Sequence, residues 1–369
     1  MIKKILRCLS RRHQLYLIEG GGGIYVCSRD FCSCPAGSFG KKCSHKEAIR
    51  NMPVKLSDAI KSIKHLPSSI RQLNKELGGF LYNDDEIVCI YGKPNVGKSL
   101  FAFQEACYIA SLGNNVLYID TEGGFKAMAL KWHKVFKKRF GKLEGEIYLE
   151  VKKTMRTLHD YLGFRTDVVY KVSGRKADEK QTKLVEQKKT KRKKKKKTEK
   201  GKMEFKILET YPEAEIDRVV DKYDIDFIIL DSVTSPIRLA ISDEQQNNPA
   251  KATAMGLIYG KLLELMELKG VAVLTTNHAS WNPADPYQTL ANMRGGVVAH
   301  HYSKRWFYMD RRQKKGVENY RKLWMVRVED MPEFGKVFPL KIDDDGFHYA
   351  DDISLEDLLT ESERRNLGL

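Results

Sequence analysis

Eight consecutive residues near position 95 have the types and spacing needed to hold a chain of phosphates. They read Gly92-Lys93-Pro94-Asn95-Val96-Gly97-Lys98-Ser99 and fit the pattern G-x-x-x-x-G-K-[ST]. Glycines let the backbone curl so that successive N–H groups point inward, and the positive end of a following helix adds to the attraction. Lys98 would neutralise the terminal phosphates, and the Ser99 hydroxyl would bind Mg²⁺. The motif therefore predicts a site for ATP and Mg²⁺, which also includes Leu100.

Acidic and amide side chains follow three apolar runs that we expect to be neighbouring strands. Asp231 closes the run DFIILD, where its carboxylate could help to hold Mg²⁺. Glu122 follows the run NVLYID and could activate a water molecule beside the γ-phosphate. Asn277 ends the run VAVLTT and could hydrogen-bond the γ-phosphate, while His278 shares that role or simply packs. We therefore predict Lys98, Glu122 and Asn277 as catalytic residues and Asp231 as a ligand-binding residue.

Four residues of the N-terminal segment could bind a metal. Cys32, Cys34, Cys43 and His45 follow the pattern C-x-C-x8-C-x-H. Thiolate and imidazole suit tetrahedral Zn²⁺, and four protein ligands indicate a structural rather than a catalytic site. A segment of about fifty residues has too small a core to fold alone, so bound zinc would supply the missing stability. Cys27 could replace one ligand, but its position favours a strand residue.

The elements that must position these residues can be predicted from the apolar pattern. Four short apolar runs, each bounded by polar or glycine residues, predict strands buried on both faces of a parallel sheet. They are Glu86–Tyr91, Asn115–Asp120, Asp226–Asp231 and Val271–Thr276. Amphipathic helices are predicted between them at Ser99–Ser111, Gly124–Lys138 and Met255–Lys269. This alternation predicts an α/β fold with three layers and a mostly parallel sheet.

Further elements are predicted on both sides of this core. A glycine-linked hairpin and a short helix would form a small ββα module; they are Gln14–Glu19, Ile24–Ser28 and His45–Met52. Antiparallel strands and a final helix are predicted at Arg305–Asp310, Lys322–Asp330, Val337–Ile342 and Ile353–Glu363. We expect a zinc-binding module at 1–52, a linker at 53–72, an ATPase core at 73–350 and a tail at 351–369.

Charge is distributed unevenly along the chain. The formal net charge of the 369 residues is +17, and Lys188–Lys202 alone holds eleven Lys or Arg and one acid. Such a run repels itself and cannot bury apolar surface, so we predict a disordered insertion at about 174–204. A basic chain attracts polyanions, nucleic acid first among them, although an ordinary soluble surface is the alternative.

The sequence does not predict a membrane-spanning segment. Arg11, Arg12 and His13 interrupt any N-terminal apolar stretch, and nowhere do eighteen apolar residues run together. Four of the seven cysteines lie between Cys27 and Cys43, a crowding that favours a metal in a reducing compartment over disulfides. We therefore expect a cytoplasmic, nucleoid-associated protein.

Several motifs in order resemble the RecA superfamily, and most closely the archaeal RadA and RadB branch. They are GKPNVGKS, YIDTEGGF, IILDSVTSPIR, LTTNHA and MRGGVVAHHYSKRWFYMDRR, followed by EDMPEFGKVFPLKIDDDGF, which is similar to the closing hairpin of that family. The resemblance covers roughly Leu73 to Tyr349, without the Lys-rich insertion. Separately, the cysteine and histidine spacing near the N-terminus resembles the SWIM zinc finger, a module associated with DNA or protein binding.

The resemblance implies roles for particular residues. Glu122 would be the water-activating glutamate and Asp231 the Walker B aspartate. Two segments, Thr234–Lys251 and Ala279–Gly296, would be mobile loops facing DNA. Arg238 and Arg294 would contact DNA phosphates, and Gly295 and Gly296 would also be DNA-binding residues. Single-stranded DNA and the main recombinase, or another paralogue, would be the partners in homologous recombination and repair.

The chain also departs from this family. Asn277-His278 replaces the usual Asn-Gln pair, no helix-hairpin-helix domain precedes the core, and the connector lacks a Phe-x-x-Ala peptide. These differences favour a slowly hydrolysing recombinase paralogue over a filament-forming recombinase. A non-catalytic ATP-binding adaptor and a KaiC-like or helicase-related ATPase remain alternatives. A GTPase is disfavoured, because only 22 residues separate Lys98 from Asp120 and no N-K-x-D motif follows.

Overall fold

The computed structural model describes residues 2–10, 15–20, 23–27, 32–35, 43–46, 63–171, 202–210, 214–241, 248–280, 292–293, 296–312, 316–328 and 336–367. The chain divides into two units, Met1–Ile63 and Lys64–Leu369. Most of the predicted Lys-rich insertion, residues 174–201, lies outside the described residues. Within those described residues, no helix has the length and apolar character needed to cross a bilayer.

The first unit contains a three-stranded antiparallel sheet. Its strands, in spatial order, are β1 (Ile2–Ser10), β2 (Leu15–Gly20) and β3 (Gly23–Cys27). The β2–β3 hairpin pairs Gly20 with Gly23, which matches the predicted glycine-linked turn. Strand β1 was not predicted, because its three basic residues hide the alternation of apolar residues. Of the predicted helix at His45–Met52, the residues after 46 lie outside the described part of the chain.

The second unit is a mixed α/β unit. Its strands are β4 (His65–Leu66), β5 (Tyr82–Asn83), β6 (Ile87–Gly92), β7 (Asn115–Asp120), β8 (Ile147–Val151), β9 (Phe164–Lys171), β10 (Lys202–Thr210), β11 (Ile225–Asp231), β12 (Ala272–Ser280), β13 (Asn292–Met293), β14 (Ser303–Asp310), β15 (Tyr320–Val328), β16 (Val337–Asp343) and β17 (Gly346–Tyr349). Its helices are α1 (Arg71–Glu76), α2 (Lys98–Ser111), α3 (Phe125–Phe140), α4 (Met155–Tyr161), α5 (Glu215–Lys222), α6 (Ser235–Ala240), α7 (Asn248–Lys269), α8 (Gly296–Tyr302), α9 (Leu355–Leu358) and α10 (Glu361–Leu367).

One large sheet organises this unit. Its strand order is β17-β16-β15-β14-β6-β12-β11-β7-β8, and β13 pairs with β12 beside this path. The pairings from β14 to β8 are all parallel, whereas β15, β16 and β17 are joined by antiparallel pairs. The prediction of antiparallel strands after the core is confirmed for the pairs among β14, β15 and β16, but β14 also has a parallel neighbour that was not predicted. It pairs in parallel with β6 from Ser303↔Ile87 to Met309↔Gly92, so it extends the parallel sheet before the direction changes.

Helices cover both faces of the sheet. All six residues of β6 are buried, and successive side chains enter opposite layers: Ile87, Cys89 and Tyr91 in one, Val88 and Ile90 in the other. Strand side chains alternate between faces, so a strand buried along its whole length needs a layer on each side. Helix α7 contributes to the first layer and α2 to the second. The predicted α/β fold with a mostly parallel sheet is confirmed.

Helix positions differ from the prediction in two places. Thr234–Lys251, expected to be a mobile loop, contains α6 and the first residues of α7, with 242–247 outside the described residues. The single final helix predicted at Ile353–Glu363 is instead α9 and α10. Ser354 caps α9, since its Oγ accepts a hydrogen bond from the Asp357 N–H at 3.1 Å.

Candidate functional site

The predicted phosphate loop connects β6 to α2 and has a curled backbone. Asn95 and Gly97 lie in the left-handed region, with φ of 62° and 107°. A Cβ atom on Gly97 would stand 2.8 Å from Cζ of Phe347, and one on Gly92 would stand 2.2 Å from the carbonyl oxygen of Met309. Close packing therefore requires both glycines, and the left-handed backbone is a second requirement for glycine at position 97.

Lys98 lies at the centre of this loop. Its Nζ donates hydrogen bonds to the carbonyl oxygens of Gly92 at 3.1 Å and Lys93 at 2.9 Å. Burial lowers the pKa of Lys98, and the charges of Asp231 and Glu122 oppose that shift. The loop thus holds a buried cation where the motif predicted one.

Asp231 ends β11 with its carboxylate buried and hydrogen-bonded. Tyr118 donates its hydroxyl to Oδ2 at 2.7 Å, and Thr276 donates to Oδ1. Burial raises the pKa of Asp231, while hydrogen bonds from Thr276, Tyr118 and Ser99 act in the opposite direction. The interaction with Ser99 brings together the hydroxyl and the carboxylate that were predicted to hold Mg²⁺. Oxygen ligands of this kind suit that cation.

Glu122 lies on a turn that Asp120 organises at the end of β7. Oδ1 of Asp120 accepts the N–H groups of Glu122 at 3.0 Å and Gly123 at 2.7 Å, and Oδ2 accepts that of Phe125 at 3.2 Å. These bonds fix the backbone that carries Glu122. This role of Asp120 was not predicted, although an Asp followed by small or polar residues at a strand end is a common turn signal.

The carboxylate of Glu122 is held by donors from two other strands. Its Oε1 accepts a hydrogen bond from Ser232 Oγ at 2.8 Å and lies 3.0 Å from His278 Nε2. Because an ionised carboxylate only accepts hydrogen bonds, Nε2 of His278 is the donor, and its Nδ1 is buried without a hydrogen-bond partner among the described residues. The bond from His278 is the main reason that the pKa of Glu122 falls to about 2. Thr121, which bonds both the N–H and the carbonyl of Ser232 at 2.7 Å, joins the two strand ends.

The side chain of Asn277, predicted to contact the γ-phosphate, is hydrogen-bonded to other groups of the protein. It is fully buried, and its Oδ1 accepts hydrogen bonds from Thr234 Oγ1 at 2.8 Å and from the His278 N–H at 2.7 Å. The neighbouring His278, rather than Asn277, faces the phosphate loop. The role of Asn277 as a γ-phosphate contact stays a prediction.

These elements enclose one cavity of about 340 Å³, within the size range of ligand pockets. It is lined by Pro94, Asn95, Gly97, Lys98, Ser99, Leu100, Glu122, Asp231 and His278. Three residues of the motif do not line it: Gly92, Lys93 and Val96. The carbonyl of Val96 accepts a hydrogen bond from Nε of the buried Arg321 at 2.7 Å, so Arg321 holds the backbone of the loop. No local pattern in the sequence pointed to Arg321.

The residues expected to contact DNA are only partly described. Arg238 is exposed on α6, and Gly296 is the first residue of α8. Arg294 and Gly295 lie outside the described residues. Their contacts with DNA stay predictions.

The four predicted zinc ligands converge in the first unit. The possible ligand atoms of Cys32, Cys34, Cys43 and His45 lie within 4.8 Å of one another, and all four residues are buried. His45 Nδ1 is 3.7 Å from Cys32 Sγ and 3.6 Å from Cys43 Sγ, and the sulfurs of Cys34 and Cys43 are 3.2 Å apart. Tetrahedral Zn²⁺ separates its ligand atoms by roughly 3.5–3.8 Å. The donor set and the two sulfur–nitrogen distances therefore fit zinc, while the sulfurs of Cys34 and Cys43 stand closer together than two ligands of one zinc ion.

Cys27 lies beside this cluster. It is the last residue of β3, and its Sγ is 2.7 Å from Sγ of Cys32. Cys27 is not one of the four residues whose possible ligand atoms lie within 4.8 Å of one another, which agrees with Cys27 as a strand residue outside the ligand set.

A curled glycine loop between a parallel strand and a helix, with buried carboxylates at neighbouring strand ends, defines a P-loop nucleotide-binding ATPase. Comparison with known families agrees, since residues 51–284 match the AAA_25 model, described as an AAA domain. The match spans more than half of the chain, and the chain belongs to the AAA domain family. A search of curated proteins finds no match.

Proposed function

We propose that this chain is a DNA-dependent ATPase that acts in homologous recombination and DNA repair as a recombinase paralogue. The observation that carries the hydrolytic part is that Glu122 and Asp231 line the same cavity as Lys98 and Ser99. The motif order shared with RadA and RadB supports the assignment to recombination, and the net charge of +17 supports a polyanionic partner.

The residues of the cavity would divide the work of phosphoryl transfer. Backbone N–H groups of the loop and the Lys98 ammonium bind the phosphates, and Ser99 and Asp231 hold Mg²⁺. When bound, Mg²⁺ polarises the phosphate oxygens and neutralises their charge. Glu122 orients the attacking water and accepts its proton.

The hydrogen bonds of Glu122 favour slow rather than rapid hydrolysis. Both Ser232 and His278 occupy Oε1, so Oε2 is the oxygen with no bond to another described residue. A carboxylate whose pKa is about 2 is a weak base near neutral pH. Water would therefore be oriented well but deprotonated poorly, in agreement with the slow turnover that the sequence suggested.

The strand that carries His278 offers a route by which DNA could affect hydrolysis. His278 lies on β12, and β12 leads directly into residues 281–291, part of the predicted DNA-facing segment. A change in β12 would alter the hydrogen bond from His278 to Glu122. We propose that DNA acts on turnover through this bond.

Steady-state ATP hydrolysis with and without single-stranded DNA tests the proposal. We expect DNA to stimulate turnover, and Glu122→Gln to lower it by about 10²–10⁴-fold while ATP still binds. Glu144→Gln, at an exposed acid, is the matched control and should behave as wild type. If Glu122→Gln retains activity within about threefold, Glu122 is not the base.

The bonds that restrain Glu122 also favour a second candidate, a non-catalytic ATP-binding adaptor of a recombinase. Binding of ATP without turnover, combined with retention of the main recombinase in a pull-down, would support the adaptor. Turnover that DNA does not change would instead favour a KaiC-like or helicase-related ATPase outside recombination.

A further inference from the structure

Helix α3 has a composition unlike an ordinary surface helix. Its sequence, FKAMALKWHKVFKKRF, contains five lysines, one arginine and one histidine, and no acidic residue. The helix follows directly after the turn that carries Glu122. Neither the phosphate site nor the metal site uses any of these cations.

The structure places the lysines together on one face. Phe125 and Phe136 are buried against α2 and the sheet, and Met128, Trp132 and Val135 pack beside them. The five lysines lie on the opposite side and are all exposed: Lys126, Lys131, Lys134, Lys137 and Lys138. With a rise of 1.5 Å per residue, this lysine face extends over about 18 Å from Lys126 to Lys138.

Nothing within the helix accounts for this concentration of charge. Lys134 has like-charged neighbours three or four positions away at Lys131, Lys137 and Lys138, an arrangement that destabilises an isolated helix. The helix dipole favours cations in the last turn, which explains Lys137 and Lys138, but it disfavours Lys126 in the first turn. Among the described residues, none of the five ammonium groups has an acidic partner.

We propose that the lysine face of α3 binds the phosphate backbone of a nucleic acid, as a contact surface separate from the two predicted loops. This inference rests on the nucleic-acid partner of the proposed function and names where that partner would lie. Five exposed cations without an acidic partner in the described part of the chain, spread along about 18 Å, match a regularly charged polyanion, which such a surface attracts through release of its counterions.

A membrane surface fits the same helix less well. Helices that lie in a membrane insert an apolar face, and the apolar face of α3 is already packed in the core. Leu130, with 80% of its surface exposed, is the large apolar residue on the lysine face, and one such side chain offers little to insert.

The position of α3 would connect this surface to the ATP site. Asp120 accepts the N–H of Phe125, the first residue of α3, with the same carboxylate that holds the N–H of Glu122. A ligand that binds α3 and shifts the helix would therefore also shift the turn that carries Glu122. The helix that would bind nucleic acid begins only three residues after Glu122, the proposed base.

The test compares two triple variants of the full chain with wild type. Lys126, Lys131 and Lys134 are replaced by Gln in the first, which leaves the last helical turn unchanged. The control replaces three other exposed cations by Gln, on α1 and α5, and so changes the net charge equally: Arg71, Arg218 and Lys222. Binding of a fluorescent single-stranded oligonucleotide is measured by anisotropy between about 50 and 200 mM KCl.

We expect the slope of log affinity against log salt to fall by about 2 in the α3 variant, from three contacts at about 0.7 each, and to stay at the wild-type value in the control. Equal slopes for the two variants would overturn the lysine face as a binding surface and leave the proposed function intact. Failure of wild type to bind the oligonucleotide would overturn the nucleic-acid partner itself. If wild type binds anionic vesicles or polyglutamate instead, and only the α3 variant loses that binding, the occupant has been misassigned. Thermal unfolding and fluorescent ATP-analogue binding show that each variant is folded.

Discussion

Removal of zinc is expected to unfold the first unit and leave the second unit folded. The described core of the first unit consists of Ile18, Cys27, Cys32, Cys34 and Cys43, so three of its five residues are also predicted metal ligands. The second unit has two extensive apolar layers of its own. Structural zinc contributes about 10–16 kcal/mol of apparent binding free energy, far more than a core of five residues can replace. A chelator should therefore abolish hydrogen-exchange protection within residues 1–63 alone.

The same ligand set fixes how zinc binding should depend on pH. Burial raises the pKa of the Cys32 thiol to about 11, and burial lowers the pKa of His45, so the thiol is protonated and the imidazole neutral at pH 7. For Cys43, burial is outweighed by hydrogen bonds that lower the pKa of its thiol. Three thiols must become thiolates to bind the metal, which releases up to about three protons. Affinity should fall by up to about a thousandfold for each unit of decreasing pH.

Calorimetry in two buffers of different ionisation enthalpy measures the proton release, and a colorimetric chelator measures the zinc content. We expect one zinc per chain and up to about three protons per zinc. Cys34→Ser should lose the metal, whereas Cys27→Ser should keep it. Proton release near zero, or loss of zinc only in Cys27→Ser, would refute the assigned ligands.

Two further predictions concern buried charge and acid stability. Lys322→Ala should lower the free energy of unfolding by about 3–5 kcal/mol, because the buried Lys322 Nζ lies 2.5 Å from Glu363 Oε1 and its loss leaves a buried carboxylate uncompensated. Lys341→Ala, which breaks a surface ion pair, is the control and should leave the urea midpoint unchanged. Glu122, whose pKa His278 lowers from 4.5 to about 2, should stabilise the fold fully above pH 4.5 and lose that effect as the pH falls toward 2. Because 38% of its side chain is exposed, the effect should stay below about 1 kcal/mol, and an equal difference between wild type and Glu122→Gln at pH 7 and pH 3 would contradict this sign.

The core strands and the main helices could be predicted because their signals are local. The run NVLYID was predicted as a strand at Asn115–Asp120 and forms β7 with those bounds. Helix α2 begins at Lys98, one residue before its predicted start, because the glycine loop and the amphipathic stretch adjoin. Strand β8 was missed, since Ile147–Val151 is a half-buried edge strand with neither a continuous apolar run nor strict alternation.

The partners of the site residues could not be predicted in the same way. Strand β6 lies between β12 and β14 in the sheet, although both follow it by about 180 or more residues. Only this order brings the ends of β7, β11 and β12 to one edge, where Ser232 and His278 both reach Glu122. The parallel direction of β14 depends on the same packing.

The sequence by itself determined the phosphate loop, the acids at two strand ends and the spacing of the four metal ligands. Each of these features lies within a short stretch of the chain, where the local backbone geometry and the spacing of apolar residues determine the structure. Tertiary structure decided that His278 rather than Asn277 faces the cavity, that Arg321 supports the loop, and that the lysines of α3 share an exposed face. These contacts join elements distant in the chain, and which strands become neighbours depends on burying the whole sheet at once.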